Sequence, residues 1–362
     1  VGTVGLDAVG PALRYRCEVA TGITVGEAKE RGVLKRVLAQ LRPADAATVG
    51  PGDDSAVLAL GGDLVVTSDT MVEGPDFRLA WHGVAEAGDG FDLGWKLAAT
   101  NLSDIAAMGA KPIGLTVSLA CPQDTEVELL EAIARGLDAA CRELAPGCGV
   151  VGGDLGTSPV LFAAVTALGD LQGRPPVLRS GASAGDTVAY AGDLGLAGLG
   201  LALLFRESAE PDGKAHSRGL RELRAQRPGA LQAQLAPSPP IELGPVAADA
   251  GATAMMDVSD GLSLDAARLA EASGVTIAFE RELLEGGFGA QHGEQVPVAA
   301  MLTGGEDHGL LATFSGGEAL PRGFVAIGRV VDRRGDETRV LLDGHPFQPR
   351  GWDPYGVLPP GA

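Results

Sequence analysis

Basic residues are scarce in this 362-residue chain: 28 Lys and Arg stand against 47 Asp and Glu, a net charge of −19. A surface so negative repels phosphate backbones, which argues against nucleic acid as a partner. Aromatic residues make up only 4%, too few for the stacking platforms that single strands need. The four cysteines (Cys17, Cys121, Cys141, Cys148) show no Cys-x-x-Cys spacing, so they read as reduced thiols. The longest apolar run, LAGLGLALLF (196–205), is far too short to span a bilayer. With no secretory leader recognisable at Val1, the expectation is a soluble, cytoplasmic protein without a membrane partner. No Gly-x-x-x-x-Gly-Lys-Ser/Thr occurs, which excludes a P-loop. GCGVVG (147–152) matches Gly-x-Gly-x-x-Gly, but a Gly/Ser/Pro turn and a strand follow it where a dinucleotide site needs a helix.

What is present is globular and rich in turns. Hydrophobic residues make up 45%, and the 54 glycines are about twice the ordinary share. The length favours two domains. Thr24-x-x-Glu27 forms a capping box before a helix stopped by Pro43. DLVVTSD (63–69) reads as a strand, and 92–112 as a long helix ended by Gly109 with Pro112 beyond. PIGLTVSLA is a strand, TEVELLEAIARGLDAACREL a helix and PVLFAAVTALG a strand. The polar stretch 170–186, with Pro175-Pro176, marks a boundary. TVAYAG and TAMMD then read as strands, 196–205 and 262–273 as helices, and 206–245 as a Pro-broken, partly helical connector. The expected fold class is α/β (α+β), with two tandem mixed α/β domains. An N-terminal extension (1–22) precedes domains at 23–172 and 173–362.

Acidic residues gather at six turns: GPGDDSAV (51–58), VTSDTMVEG (66–74), NLSDIAAMG (101–109), VVGGDLG (150–156), MMDVSDGL (255–262) and LTGGEDHG (302–309). Asp260 precedes a helix and could be its N-cap. Asp53-Asp54 could be plain turn residues. Lys96, Thr100 and Asp104 recur at steps of four, a stripe that a solvated helix face would also explain. Asp257, at a strand end, has no such account. Carboxylates at strand ends beside glycine turns converge on one edge of an α/β sheet. Hard divalent cations take oxygen ligands, with Mg²⁺ held by a few carboxylates plus substrate phosphates. The set therefore reads as a magnesium cage. The five histidines are scattered and read as surface or core residues.

Taken in order, VGEAKERGVLKRVL, GPGDDSAV, TSDTMVEGPDF, DLGWKLAATNLSDIAAMGAKP, VVGGD, LRSGASAGD, MMDVSDGL, LTGGEDH and GWD resemble the thiamine-monophosphate kinase family. That family belongs to the ATP-binding superfamily of aminoimidazole ribonucleotide synthetase. The similarity covers residues 24–355. It implies transfer of the ATP γ-phosphoryl group to thiamine monophosphate, several Mg²⁺ ions, and a homodimer built through the N-terminal domains. Carried onto this sequence, it implies that Asp53, Thr67, Ser68, Asp69, Asp104, Asp154, Asp257 and Asp260 hold magnesium. Gly153, Asp154, Arg179 and Ser259 would touch ATP. Glu306 and Trp352 would contact the thiamine moiety, Trp352 by offering a ring face to the thiazolium cation. Where the family has Val-Glu-Gly-x-His-Phe this chain has VEGPDF, placing Asp76 beside the acceptor, and GWDPY replaces GWDHF. Two other readings use the same acidic set: a superfamily phosphotransferase or synthetase with another acceptor, and a non-catalytic nucleotide-binding paralogue.

Overall fold

The computed structural model describes residues 22–51, 54–82, 89–333 and 339–352. Asp53 and Cys17 lie outside the described residues. The capping box forms as the sequence predicts: Glu27 N donates to Thr24 Oγ1, and Thr24 N donates to Glu27 Oε2 at 2.9 Å. It opens α1 (Val25–Leu38), which breaks at Lys29, where φ is 58°. Then come β1 (Ala47–Val49), β2 (Val57–Leu58), β3 (Leu64–Val72), α2 (Leu79–His82) and α3 (Phe91–Ala107). They are followed by β4 (Lys111–Cys121), α4 (Val127–Leu144), β5 (Val150–Thr157) and β6 (Phe162–Asp170). Gly109 stops α3 with a left-handed φ of 75°.

Strands β3-β6-β4-β5 form a four-stranded sheet, antiparallel except for the parallel β4/β5 pair. Ala163, Val165 and Ala167 alternate inward along β6 and are buried in the core shared with α3 and α4. The two helices meet backbone to backbone. A Cβ on Gly94 of α3 would stand 1.9 Å from Ile133 O, and one on Gly136 of α4 would stand 2.0 Å from Phe91 O.

The second half begins with β7 (Thr187–Ala191) and α5 (Leu196–Glu207). The connector after it folds into α6 (Leu220–Gln226), α7 (Pro228–Leu235) and α8 (Leu243–Asp249). Next are β8 (Ala254–Asp257), α9 (Leu262–Ser273), β9 (Thr276–Phe279) and α10 (Arg281–Phe288). A short hairpin of β10 (Ala290–Gln291) and β11 (Glu294–Gln295) leads to α11 (Val298–Thr303). The chain closes with β12 (Leu310–Phe314), β13 (Val325–Val331), β14 (Val340–Leu342) and β15 (His345–Pro346). The order β15-β14-β9-β13-β7-β12-β8 makes a seven-stranded sheet, antiparallel apart from β14/β9. This is the mixed α/β class that the sequence predicts.

One apolar core runs from both faces of α3 to Met255, Leu310 and Ala312 of the second sheet; the other lies between that sheet and α5, α7, α9 and α11. β8 is an edge strand of the second sheet and packs on α3. The first sheet and the end of β8 therefore meet across a single helix. Among the described residues no helix is long and apolar enough to cross a membrane.

Candidate active site

Helix α3 is covered on every side, which overturns the solvated-face reading of its polar stripe. Lys96, Thr100, Asn101 and Ser103 are all buried, and each polar group is held. Thr100 Oγ1 donates to Leu97 O, and Asn101 Nδ2 donates to Leu97 O at 3.0 Å. From the β3 side, Thr67 Oγ1 donates to Asp104 Oδ2 at 2.7 Å, and Asp69 N donates to Asn101 Oδ1 at 3.2 Å. From the other side, Ser103 Oγ donates to Asp257 Oδ2 at 3.2 Å, and His308 Nδ1 lies 3.4 Å from the same oxygen.

Asp69, Asp104 and Asp257 thus approach one another from three elements, and their electrostatics show it. Burial, then the charges of Asp257 and Asp69, push Asp104 up to about 7. Burial and Asp257 also raise Asp69, with His308 pulling the other way. Burial opposes charge on His308, yet its hydrogen bond to Asp257 and the nearby Glu306 leave its pKa above the usual histidine value. Among the described residues, no three His, Cys, Asp or Glu side chains are close enough to form a ready-made metal cage. The three aspartates still suit a hard cation, because Mg²⁺ keeps several waters and needs only one or two carboxylates beside substrate phosphates.

Asp260 lies at the start of α9 but is not its N-cap: Gly261 takes that position with φ 124°. The N–H groups of Asp260 and Gly261 instead donate to the buried Asp265 Oδ2 at 3.0 and 3.1 Å. Asp260 Oδ2 pairs with Arg268 Nη1 at 2.6 Å, and the same guanidinium holds Asp265. Burial and the Asp257 charge push Asp265 up to about 6. The backbone N–H of Trp352 donates to Asp260 O at 2.8 Å, which ties this exposed residue to the loop.

The Gly-Gly-acid turn at 304–308 splits its two acids. Glu306, at φ 67°, donates its N–H to Ser259 O at 2.7 Å. Its carboxylate pairs with Lys96 Nζ at 2.8 Å. Asp307 turns away and caps α5, accepting from Gly195 N at 2.5 Å and Ala197 N at 2.9 Å. Burial outweighs these bonds and pushes it up to about 7.

Other expected site residues lie elsewhere. The register pairs Asp69 with Val165, Val117 and Gly153 in one cross-strand row, and Ser68 with Thr166 in the next. Directly opposed residues share a face and successive residues alternate. Ser68 and Asp154 therefore lie on the face opposite Thr67 and Asp69, and Ser68 Oγ meets Thr166 Oγ1 at 3.0 Å. Gly153 is glycine for a reason inside the sheet: a Cβ there would meet Val117 O at 2.0 Å. Gly153 and Asp154 line an apolar cavity of 320 Å³ between α1, α4 and the β4/β5 edge, apart from the aspartate cluster. Arg179 is exposed, with its carbonyl accepting from Ser273 Oγ at 2.8 Å. Asp76 Oδ2 accepts from Val72 N at 2.8 Å and so closes its own turn.

Sequence reasoning missed Lys96 as a site residue, and also Ser103, Gln234, Asp265 and His308. For Lys96 and Ser103 a signal existed: a helix this apolar is buried all round, so its polar residues must be paired. His308 could have been found from its place in the acidic turn.

The AIR synthase related protein N-terminal domain model matches residues 52–171. The thiamine-monophosphate kinase of Mycobacterium tuberculosis is 37% identical over 342 residues, 92% of this chain and 93% of its own length. The solved thiamine-monophosphate kinase from Stenotrophomonas maltophilia K279a is 29% identical, with a TM-score of 0.68 over 87% of this chain and 97% of that one. AaThiL complexed with AMPPCP and TMP is 30% identical, with a TM-score of 0.65 over 92% and 99%. Its matches over nearly the whole length place the chain in the thiamine-monophosphate kinase family.

Proposed function

We propose that this protein transfers the γ-phosphoryl group of ATP to thiamine monophosphate, giving thiamine diphosphate and ADP. The observation that carries this reading is the approach of Asp69, Asp104 and Asp257 across α3, in a chain related to AaThiL complexed with AMPPCP and TMP. In the step itself, an acceptor phosphate oxygen forms a bond to the γ-phosphorus while the bond to the β,γ-bridging oxygen breaks in line. The acceptor is a phosphate monoester whose second ionisation lies near about pH 6, so no dedicated base is required. Magnesium held by these aspartates, with Asp260 and Thr67 beside them, would neutralise the two anionic phosphates as they approach. The chain's own contribution is placement: Thr67 orients Asp104, and Ser103 and His308 orient Asp257.

Gly153, Asp154, Arg179 and Ser259 are proposed for ATP, and Glu306, Trp352 and Asp76 for the acceptor. Leu64 and Val66, on the same face of β3 as Ser68, are large apolar side chains left exposed, which supports a homodimer through the N-terminal sheets as part of the proposal. The test is incubation with ATP, magnesium and thiamine monophosphate, followed by chromatography. Equal amounts of thiamine diphosphate and ADP are expected, abolished by chelation. ATP consumption only with a different acceptor, or nucleotide binding without turnover, would overturn the reading.

A further inference from the structure

Lys96 is the one Lys of α3 and is 1% exposed. A buried ammonium needs close partners, and it has two: Glu306 Oε1 at 2.8 Å and Gln234 O at 3.0 Å. Gln234, from α7, donates its Nε2 to the other oxygen of Glu306. Both carboxylate oxygens are thus held from different elements, and the backbone of Glu306 is fixed by Ser259. The orientation of the Gln234 amide serves Glu306 at the expense of itself, because its buried Oε1 has no hydrogen-bond partner among the described residues. The Glu306 side chain nevertheless remains 29% exposed. It presents an ionised, immobile carboxylate edge with lone pairs to spare. Burial works against that ionisation, but Lys96 and Gln234 bring the Glu306 pKa below its ordinary value.

Lys96 and Asp104 lie eight residues apart on α3, a rise of about 12 Å. The C-terminal half of the helix meets the three aspartates, and its N-terminal half holds the fixed carboxylate. We propose that Lys96 is a positioning residue for the acceptor, holding Glu306 so that it reads the N–H donors of the acceptor's amino-substituted heterocycle. The inference rests on the kinase reading above. Because Lys96 balances the charge of Glu306, recognition there works by hydrogen-bond geometry more than by net charge. That makes the site selective among cationic acceptors.

The test is steady-state kinetics on the full chain with thiamine monophosphate and ATP varied in turn, for Lys96→Met, Gln234→Leu and Lys96→Met/Glu306→Gln. Lys96→Met is expected to raise KM for thiamine monophosphate by about tenfold or more while kcat and the KM for ATP stay within about threefold. Gln234→Leu, which leaves the ion pair intact, is expected to give the same split with a smaller rise, and it serves as the readout should Lys96→Met not fold. The double variant is expected to recover the melting temperature but not the acceptor KM, which a purely structural role for Lys96 would restore. An unchanged acceptor KM in a parent-active background, or equal losses in kcat and both KM values, overturns the proposal alone. A parent that makes no thiamine diphosphate overturns the kinase reading together with it.

Discussion

Ser103 on α3 and Asp257 at the end of β8 are 154 residues apart in sequence and share a hydrogen bond of 3.2 Å. That bond joins the site: it carries an acid of the second sheet to the helix that bears Asp104 and meets Asp69 of the first sheet. Replacing Asp257 by Asn keeps an acceptor for Ser103 while removing the charge. Turnover is expected to fall at least about a hundredfold. The melting temperature should hold or rise, because Asp257 is among the charges that raise Asp104 and Asp69. Product chromatography beside a thermal melt checks both. Turnover within about twofold of the parent would remove Asp257 from the site.

The raised acids predict a direction for stability against pH. Asp104 moves from 3.8 to about 7 on folding, Asp307 to about 7 and Asp265 to about 6. Between the ordinary and the raised values the folded state holds the extra protons, so stability falls as pH rises through that window. The metal-free protein is expected to melt at a lower temperature at pH 8 than at pH 6. Asp104→Asn should flatten part of that slope. Magnesium with a non-hydrolysable nucleotide should raise the melting temperature more at pH 8 than at pH 6, since binding favours the ionised carboxylates. Equal stabilisation at the two pH values would count against metal binding by these aspartates.

Asp307 tests whether the acidic turn is divided by role. Its carboxylate satisfies two N–H groups at the start of α5. Asp307→Ala should cost about 1–3 kcal/mol by leaving those donors buried without a partner. Urea unfolding measures the loss. The KM for both substrates should change little in the folded variant; a selective rise in either would place Asp307 in the binding surface instead.

The crossing of α3 over α4 depends on Gly94 and Gly136, whose missing side chains let each helix touch the backbone of the other. Gly136→Ala forces a methyl group to within 2.0 Å of Phe91 O. Since backbone cannot rotate out of the way as a side chain can, the helices must part, at a cost of about 3 kcal/mol or more. A large drop in melting temperature, with turnover falling as α3 shifts, is expected. Gly286→Ala, whose added Cβ meets open space, is the matched control and should be near neutral.

Elements whose local chemistry agrees with their final state were legible in the sequence. The Thr24-Glu27 box, the Gly109 stop of α3 and the 262–273 span of α9 all appear as read. β5 was hidden because its VVGGDLGT run contains three glycines, which strands usually avoid. Here one of them admits a neighbouring carbonyl. Within the site, the types of residue were legible but not their sharing. Asp260 could have been a cap, yet Asp265 five residues on satisfies the helix start. For Lys96 a solvated face stayed open as a reading because its partners, Gln234 and Glu306, lie more than a hundred residues away. Periodicity describes one helix; it carries no information about which distant strand or loop will cover it.

Along β3, neighbouring hydroxyls and acids serve different compartments: Thr67 and Asp69 reach α3, while Ser68 turns to Thr166. Parity is therefore inherited along with identity. Lengthening the chain by one residue between Leu64 and Val66 would send the charge of Asp69 to the wrong side, bringing Ser68 to the position beside Asn101 and Val66 to the position beside Asp104. A two-residue change would leave the assignment of sides intact. Length variation in functional relatives of this chain should accordingly come in even steps along β3, or be confined to the turns at its two ends.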